Sequence, residues 1–373
     1  MTKTKKHPFF LCIVFGLTFT AVVVMAGGTS EIKINGIYFV FPSACTFTGT
    51  AVKVGGASEI KINGIYFVFP SACTTFAKSR DGCAIPADND TYRKEMEYTL
   101  NIRGKLINLS QPQVMGILNV TPDSFYAGSR KQTEREIALR AQEIVAQGGT
   151  MIDIGAFSTR PGAHEVSAEE EGRRLREALA IVRREVPDAV ISVDTYRPQL
   201  ARRCIAEWGA DIINDVSEGG LTGIVNTPIH ESERMFDVVG ELHCPYILMS
   251  VKGTLGDMMV ALADEVQQLR DLGAHDIILD PGFGFGKTLE ENYALMAEMD
   301  KLLVMGLPLL VGISRKSMIF RLVGGDPTTA LNGTTVLNTI ALMKGASILR
   351  VHDVAEAVEA VRMVGKMNEV KPL

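Results

Sequence analysis

The sequence predicts a (β/α)8 barrel of the TIM type, preceded by an N-terminal signal-like and duplicated β-rich extension. Two observations lead to the barrel. From residue 113 onward, short β-branched runs alternate with amphipathic helical stretches, and the alternation occurs eight times. The runs are apolar on both faces, which is typical of parallel strands covered by helices. Eight strand and helix units favour a closed barrel, and a doubly wound open sheet is the alternative.

The predicted strands are short apolar runs rich in Val, Ile, Leu and Met. In chain order they are QVMGILNV at 113, MIDIGA at 151, VISVD at 190, IINDV at 212, YILMSV at 246, IILDPG at 277, LLVGIS at 309 and ILRVHD at 348. Several helical stretches between them end at glycine, as helices often do. Because the active sites of such barrels lie at the C-terminal ends of the strands, we expect the polar residues that follow these runs to form the site.

Residues 1–26 have the layout of a secretory signal peptide. Three lysines within the first six residues precede an apolar stretch over residues 9–25, and small residues follow. A basic start, an apolar middle and small residues at the end predict a cleaved signal. An uncleaved membrane anchor is the alternative, because the apolar stretch approaches the length that spans a bilayer.

Residues 27–95 contain a tandem duplication. The run SEIKINGIYFVFPSAC at residues 30–45 recurs without change at residues 58–73. Each copy has an Asn-Gly pair inside a strand-like run, a pattern that predicts a β-hairpin. Two copies are too few for a repeat fold, so we interpret residues 27–95 as an appendage and residues 96–373 as the barrel. Met96 is an alternative start of the chain.

Composition and charge restrict the class of protein. Hydrophobic residues make up 46% and charged residues 22% of the chain, which excludes a disordered or polytopic membrane protein. The formal net charge of -5 provides no general attraction for nucleic acid or anionic lipid. We therefore expect no nucleic-acid partner, and no membrane partner for the barrel. Cys204 and Cys244, the two cysteines of the barrel, are predicted to be buried free thiols.

The strand ends carry seven motifs in a fixed order: MGILNVTPDSF, STRPG, SVDT, IND, DPGFGFGK, GISRKS and RVHD. This series closely resembles the dihydropteroate synthase family over about residues 97–367. Such a resemblance implies condensation of 6-hydroxymethyl-7,8-dihydropterin diphosphate with p-aminobenzoate to give 7,8-dihydropteroate and pyrophosphate, a step of folate biosynthesis. It also implies Mg2+, a homodimer and a sulfonamide target. The segment GFGKT at residues 284–288 lacks the glycine spacing of a P-loop.

The resemblance implies a pterin pocket built from five residues: Asp194, Asn214, Asp280, Lys316 and Met249. A pterin presents a flat 2-amino-pyrimidinone edge that needs buried acceptors and amide groups, and the first three residues supply them from different strands. Lys316 would cover the carbonyl side of the pterin. A strand-end Asp taken alone is as well explained as a helix N-cap, but three in one barrel mouth favour a binding site.

The residues implied to bind the diphosphate are polar or cationic: Asn119, Thr159, Arg160, Arg350 and His352. Asn119 would also contact Mg2+. Arginine suits this task because its planar fork holds phosphate oxygens in pairs and stays charged. The pterin delocalises positive charge on its methylene carbon, so the reaction is expected to be SN1-like, with electrostatic stabilisation of the leaving diphosphate. The implied catalytic residues are Lys316, Arg350, His352 and Asp194. The alternative to a diphosphate-binding role for Arg350 and His352 is that they form a surface ion pair with Asp353.

The p-aminobenzoate pocket is implied to involve Thr159, Pro161, Ser317 and Phe125, with the polar segments around Phe125 and Pro161 acting as mobile loops. One departure concerns the strand at 246, where the family usually has Met-His-Met and this chain has Met249, Ser250 and Val251. Loss of the histidine changes the expected hydrogen bonding there.

Two other functions compete with the synthase. The signal-like start and the duplication would suit a catalytically silent exported surface protein, and the barrel would suit a pterin-binding methyltransferase. The methyltransferase relatives do not need the STRPG and RVHD motifs that hold diphosphate. The substrates of the synthase are cytoplasmic metabolites, so we predict a cytoplasmic enzyme despite the signal-like start.

Overall fold

The computed structural model describes residues 98–120, 130–157, 166–220 and 233–370, together with the backbone of five short strands nearer the N-terminus. The chain divides into two compact units, Met1–Asn89 and Asp90–Leu373. In the first unit, β1 (Phe9–Phe15) pairs antiparallel with β2 (Phe19–Met25), and β3 (Glu31–Ile34) with β4 (Ile37–Val40), which β5 (Phe67–Val68) extends in parallel. The pairing of β3 with β4 confirms the hairpin predicted for the first copy of the duplication.

The second unit contains one sheet of eight parallel strands. They are β8 (Gln113–Asn119), β9 (Met151–Gly155), β10 (Val190–Asp194), β11 (Ile212–Asp215), β12 (Tyr246–Met249), β13 (Ile277–Asp280), β14 (Leu310–Val311) and β15 (Ile348–Val351). A parallel bridge between Leu279 and Leu309 joins the two end strands, and the Leu279 N–H donates to the Pro308 carbonyl (2.9 Å). The sheet therefore closes on itself, so the predicted barrel is confirmed and the open sheet is not found.

Helices follow every barrel strand, and two follow β14. They are α1 (Arg130–Ala146), α2 (Ala168–Glu185), α3 (Pro198–Ala206), α4 (Met235–Leu242), α5 (Leu255–Asp271), α6 (Leu289–Glu298), α7 (Ser317–Val323), α8 (Leu331–Met343) and α9 (Val354–Glu369). Ser167, Thr254 and Thr288 cap α2, α5 and α6 with their hydroxyl oxygens, because such side chains accept from the otherwise unpaired first N–H groups of a helix. Within the described part of the chain, no helix is both long and apolar enough to cross a membrane.

A hairpin of β6 (Thr99–Ile102) and β7 (Lys105–Asn108) covers the N-terminal end of the barrel. Its buried side chains Leu100 and Ile102 pack into one apolar cluster with an inward residue from each barrel strand: Met115, Met151, Val190, Ile212, Ile247, Ile278, Leu310 and Ile348. Arg103 in its turn pairs with Asp211 (3.1 Å). With this end filled by apolar side chains, the polar residues collect at the opposite, C-terminal end.

The apolar contact between the strands and the outer helices forms the larger core. Cys204 and Cys244 lie in it as buried free thiols, as predicted. Burial raises the pKa of both thiols above the ordinary range, which makes them poor nucleophiles. These cysteines are therefore packing residues.

Candidate active site

The C-terminal mouth of the barrel is organised around the guanidinium of Arg350, which projects from β15. Its Nε donates to Asp153 Oδ2 (2.6 Å) and its Nη2 to Asp194 Oδ2 (2.9 Å). The side-chain amide of Asn214 donates to the same Asp153 oxygen (3.1 Å). Asp153 is fully buried, so its charge requires a cation close by. One arginine thus joins β15 to β9 and β10, and Asp153 extends the network to β11.

Two carboxylate oxygens in this network are buried and accept no hydrogen bond from the described residues: Oδ1 of Asp153 and Oδ1 of Asp194. A buried acceptor without a donor costs about 1–3 kcal/mol, so these atoms suit a ligand that carries N–H donors. Burial raises the pKa of the Asp194 carboxyl to about 7, against the lowering effect of the Arg350 guanidinium.

Lys316 and Asp280 carry opposite charges in another part of the mouth, and each influences the pKa of the other. The Lys316 ammonium donates to the Phe283 carbonyl (2.5 Å) and lies 4.4 Å from the centre of the Phe285 ring. Burial lowers the pKa of Lys316 to about 8, and the Asp280 carboxylate opposes this shift. A Cβ atom placed on Gly312 would lie 4.0 Å from Lys316 Nζ and 3.9 Å from Arg350 Cδ. Lys316 and Arg350 therefore border the same small space.

A glycine turn brings the loop after β13 against the loop after β12. Gly282 has a φ of 67°, and a Cβ there would lie 2.1 Å from the Ser250 carbonyl oxygen, so only glycine fits. The Lys287 ammonium donates to the carbonyls of Ser250 (3.1 Å) and Gly282 (2.9 Å). This ammonium ties the two loops together beside the buried Met249.

Ser250 stands where the family usually has histidine, and its local hydrogen bonding is complete. Its hydroxyl donates to Glu218 Oε1 (2.9 Å), which also accepts from the Val251 N–H (3.0 Å). The Lys252 ammonium donates to the other oxygen of Glu218 (3.3 Å). The fully buried Glu218 carboxylate therefore anchors the loop after β12.

His352 and Asn119 lie on two further strand ends of the mouth. His352 Nδ1 lies 3.0 Å from Ser314 Oγ. A Cβ atom on Gly155 would lie 3.5 Å from Asn119 Oδ1 and 3.7 Å from Asp194 Oδ2, so these two side chains flank Gly155. Seven of the predicted positions thus reach the mouth or its border: Asn119, Asp194, Asn214, Asp280, Lys316, Arg350 and His352.

Six predicted positions remain. Ser317 begins α7 directly after Lys316. Met249 ends β12 as a fully buried side chain, and its Cγ would lie 3.1 Å from a Cβ atom placed on Gly282, in the loop after β13. The other four, Phe125, Thr159, Arg160 and Pro161, lie outside the described residues.

One alternative from the sequence is wrong. Asp353 was a candidate partner for Arg350 and His352, but its carboxylate forms two hydrogen bonds with Arg315 (2.9 and 2.7 Å). The side chain of Arg350 turns into the barrel mouth and that of Asp353 does not.

Sequence reasoning assigned no role to two residues of the mouth, Asp153 and Phe285. Asp153 sits inside the apolar strand run MIDIG, and a charge in such a run needs a buried partner, which was the available signal. Phe285 gave no signal, because an aromatic residue in a glycine-rich loop does not reveal that its ring lies under an ammonium group.

Together, the barrel and this mouth define an enzyme of the TIM-barrel class whose site suits a planar, hydrogen-bonding ligand with an anionic group. A family model described as pterin binding enzyme matches residues 115–352. Dihydropteroate synthase of Escherichia coli (strain K12) is 38% identical over 277 residues, which covers 70% of this chain and 94% of that protein. The chain belongs to the dihydropteroate synthase family of pterin-binding enzymes.

Solved structures agree with this placement. Xanthomonas albilineans dihydropteroate synthase with 4-aminobenzoic acid matches with a TM-score of 0.64 and 33% identity, covering 74% of this chain and 100% of that chain. The Yersinia pestis enzyme in complex with a sulfonamide drug matches with a TM-score of 0.64 and 35% identity, again over 74% and 100% of the two chains.

Replacing Arg350 by methionine should lower the free energy of unfolding by about 3–5 kcal/mol, because Asp153 would be left as a buried charge without its cation. Adding Asp153→Asn should recover part of the loss. Urea unfolding measures both variants. Lys301→Met, which breaks an exposed ion pair with Glu298, should change the value by no more than about 1 kcal/mol. Equal stability of the Arg350→Met variant and the wild type would contradict the central role of Arg350.

Proposed function

We propose that this chain condenses 6-hydroxymethyl-7,8-dihydropterin diphosphate with p-aminobenzoate, releasing 7,8-dihydropteroate and pyrophosphate in folate biosynthesis. The observation that carries the proposal is the buried Oδ1 of Asp194, left without a donor beside Arg350 and Asn214. The amino and ring N–H groups of a pterin supply such donors. Asp280 and Lys316 border the same mouth and supply a second acceptor and a donor for the pterin carbonyl.

The contact between Lys316 and Phe285 supports a binding place for the second substrate, p-aminobenzoate, next to Lys316. The Phe285 ring lies under the Lys316 ammonium and provides an apolar face for an aromatic amine. Ser317, half-buried at the start of α7, supplies a hydroxyl next to Lys316. Both groups suit p-aminobenzoate, the compound bound in the Xanthomonas albilineans relative.

In the reaction, the bond between the pterin methylene and the diphosphate oxygen breaks, and its electron pair leaves with pyrophosphate. The lone pair of the aromatic amine then forms the new C–N bond, and the amine loses one proton, for which the departing diphosphate is a base. Arg350 retains Nη1 and part of Nη2 for phosphate oxygens beyond its two carboxylate bonds. Arg350, His352 and Lys316 would stabilise the charge that develops on the leaving group.

We propose that Asn119 provides the protein ligand for Mg2+. Its side-chain amide oxygen is a hard donor at the exposed end of β8, and Mg2+ favours such oxygens together with substrate phosphates and water. The described ranges contain no group of three or more His, Cys, Asp or Glu side chains that could hold a metal. This suits a cation that arrives with the diphosphate. Bound Mg2+ would neutralise charge on the leaving group.

A homodimer is proposed from an apolar face on the last three helices. Exposed apolar side chains recur on them: Leu322 and Val323 on α7, Val336 and Met343 on α8, and Met363 and Met367 on α9. The helices α8 and α9 pack against each other and therefore lie side by side on the outside of the barrel. Apolar surface of this kind suits association with a second copy.

The full-length chain should release pyrophosphate only when both substrates and Mg2+ are present. Chelation with EDTA should stop the release, and Lys316→Ala should abolish turnover while leaving the far-ultraviolet circular dichroism spectrum unchanged. A coupled pyrophosphate assay and chromatography of dihydropteroate measure the result. Absence of product with both substrates and Mg2+ would favour a silent protein, and transfer of a methyl group from a methylated folate would favour the methyltransferase.

The dimer should dissociate when a charge enters the apolar face. Val336→Glu combined with Met363→Glu should give the mass of a monomer in sedimentation velocity, where the wild type gives that of a dimer. Val260→Glu, an exposed position on α5, is the matched control and should leave the dimer intact. A wild-type chain that sediments as a monomer at all concentrations would refute the proposal.

We place the enzyme in the cytoplasm, because its substrates are cytoplasmic metabolites. Mass spectrometry of the N-terminus of the protein made in its host should find a chain that starts at Met96 or still carries residues 1–26. A processed N-terminus just after residue 26, on protein recovered from outside the cytoplasm, would contradict this location.

A further inference from the structure

The turn that delivers Lys316 to the mouth contains a residue in an unfavourable backbone conformation. The Lys316 N–H donates to the Ile313 carbonyl (3.1 Å) and closes the turn. Inside it, Arg315 has a φ of 55°. This left-handed region favours glycine, and a residue with a side chain stays there only when surrounding contacts hold it.

The contacts that hold Arg315 use both its side chain and its backbone. Its Nε and Nη2 donate to the two carboxylate oxygens of Asp353 (2.9 and 2.7 Å), and its Nη1 donates to the carbonyls of Pro327 and Thr328 (3.1 and 3.3 Å). Its N–H donates to Thr334 Oγ1 (3.0 Å). A two-point arginine and carboxylate contact fixes orientation as well as distance.

Asp353 makes this contact instead of capping the helix that follows it. It precedes α9 as the N-cap residue, but no side-chain hydrogen bond caps the helix. Asp is a preferred N-cap residue because its carboxylate accepts from the first N–H groups of a helix. Here both of its oxygens accept from Arg315, and only 14% of the side chain is exposed.

A second contact runs beside the first and joins the same two loops. Ser314 Oγ lies 3.0 Å from His352 Nδ1 and accepts from the His352 backbone N–H (3.1 Å). Consecutive residues after β14 therefore pair with consecutive residues after β15, Ser314 with His352 and Arg315 with Asp353. Lys316, which follows Arg315, and Arg350, which lies two residues before His352, border the mouth.

We propose that Arg315 and Asp353 are positioning residues for the condensation: their ion pair holds the strained turn that directs Lys316 into the pterin pocket and keeps His352 beside the leaving diphosphate. They act through Lys316 and His352 and do not touch the reacting atoms. The inference rests on the proposed function, because it concerns the same mouth.

The titration of Lys316 reports its position without requiring turnover. The charged groups that influence its ammonium are Asp280, Arg350, Lys287 and Asp194. Burial in this mouth lowers the pKa of Lys316 from its ordinary 10.5 to about 8. When the turn relaxes and the ammonium enters water, its pKa should return toward the ordinary value, since the cost of burying the charge disappears.

The test compares Arg315→Ala, the milder Asp353→Asn and the double variant Arg315→Ala/Asp353→Ala in the full-length chain. Each should lower kcat by about 100-fold, the order of loss expected when a reacting group is misplaced by about 1 Å. The double variant should lose no more than Arg315→Ala alone, because the two side chains act as one unit. NMR titration of lysine-labelled protein should show the pKa of Lys316 rising above its wild-type value in each variant.

Asp300→Ala is the matched control, because Asp300 pairs with Lys344 (3.0 Å) at similar burial but between the helices after β13 and β14. It should alter neither kcat nor the pKa of Lys316. The proposal is overturned if Arg315→Ala and Asp353→Asn, folded by circular dichroism, keep wild-type kcat and Lys316 titration, or if Asp300→Ala changes both equally. A wild-type chain without synthase activity would instead refute the proposed function, and the titration would still decide the positioning role.

Discussion

The ion pair between Arg350 and the buried carboxylate of Asp153 is the interaction on which the barrel mouth depends. A fully buried carboxylate is stable only with a cation and further hydrogen bonds, and Arg350 and Asn214 supply them. Because the same guanidinium also binds Asp194, one cation joins β15 to β9 and β10. It also leaves two carboxylate oxygens without a donor, so the interaction that stabilises the barrel end also prepares it for a ligand.

The loops after β11, β12, β13 and β14 are joined to one another by polar contacts. Glu218 anchors the loop after β12, Lys287 ties that loop to the one after β13, and Lys316 reaches back to the Phe283 carbonyl. Ser250, found where the family usually has histidine, takes part in this network because its hydroxyl donates to Glu218. Cations that act by electrostatic stabilisation benefit from such support, because this kind of stabilisation needs groups that are already oriented.

Much of the site could be predicted from single residues at strand ends. Asp194, Asn214, Asp280 and Arg350 follow or end apolar runs, and the barrel brings those ends to one mouth. Partners were harder to predict than positions. Asp353 was paired with the wrong residues, because its true partner lies 38 residues away on another loop and a carboxylate beside two cations does not indicate which one it contacts. Asp153 has no role in the site predicted from sequence, because its importance comes from its complete burial beside Arg350.

The sequence by itself determined the eight strands, their parallel arrangement, the family and the end of the barrel that carries chemistry. These features follow from local patterns: apolar runs with period and length suited to buried strands, and polar residues just beyond them. Tertiary structure alone decided which carboxylate neutralises Arg350, which oxygens remain free for a ligand, and which contacts hold Lys316 in place. Those properties depend on burial and on side-chain contacts between loops that are far apart in the chain, and no local pattern encodes them.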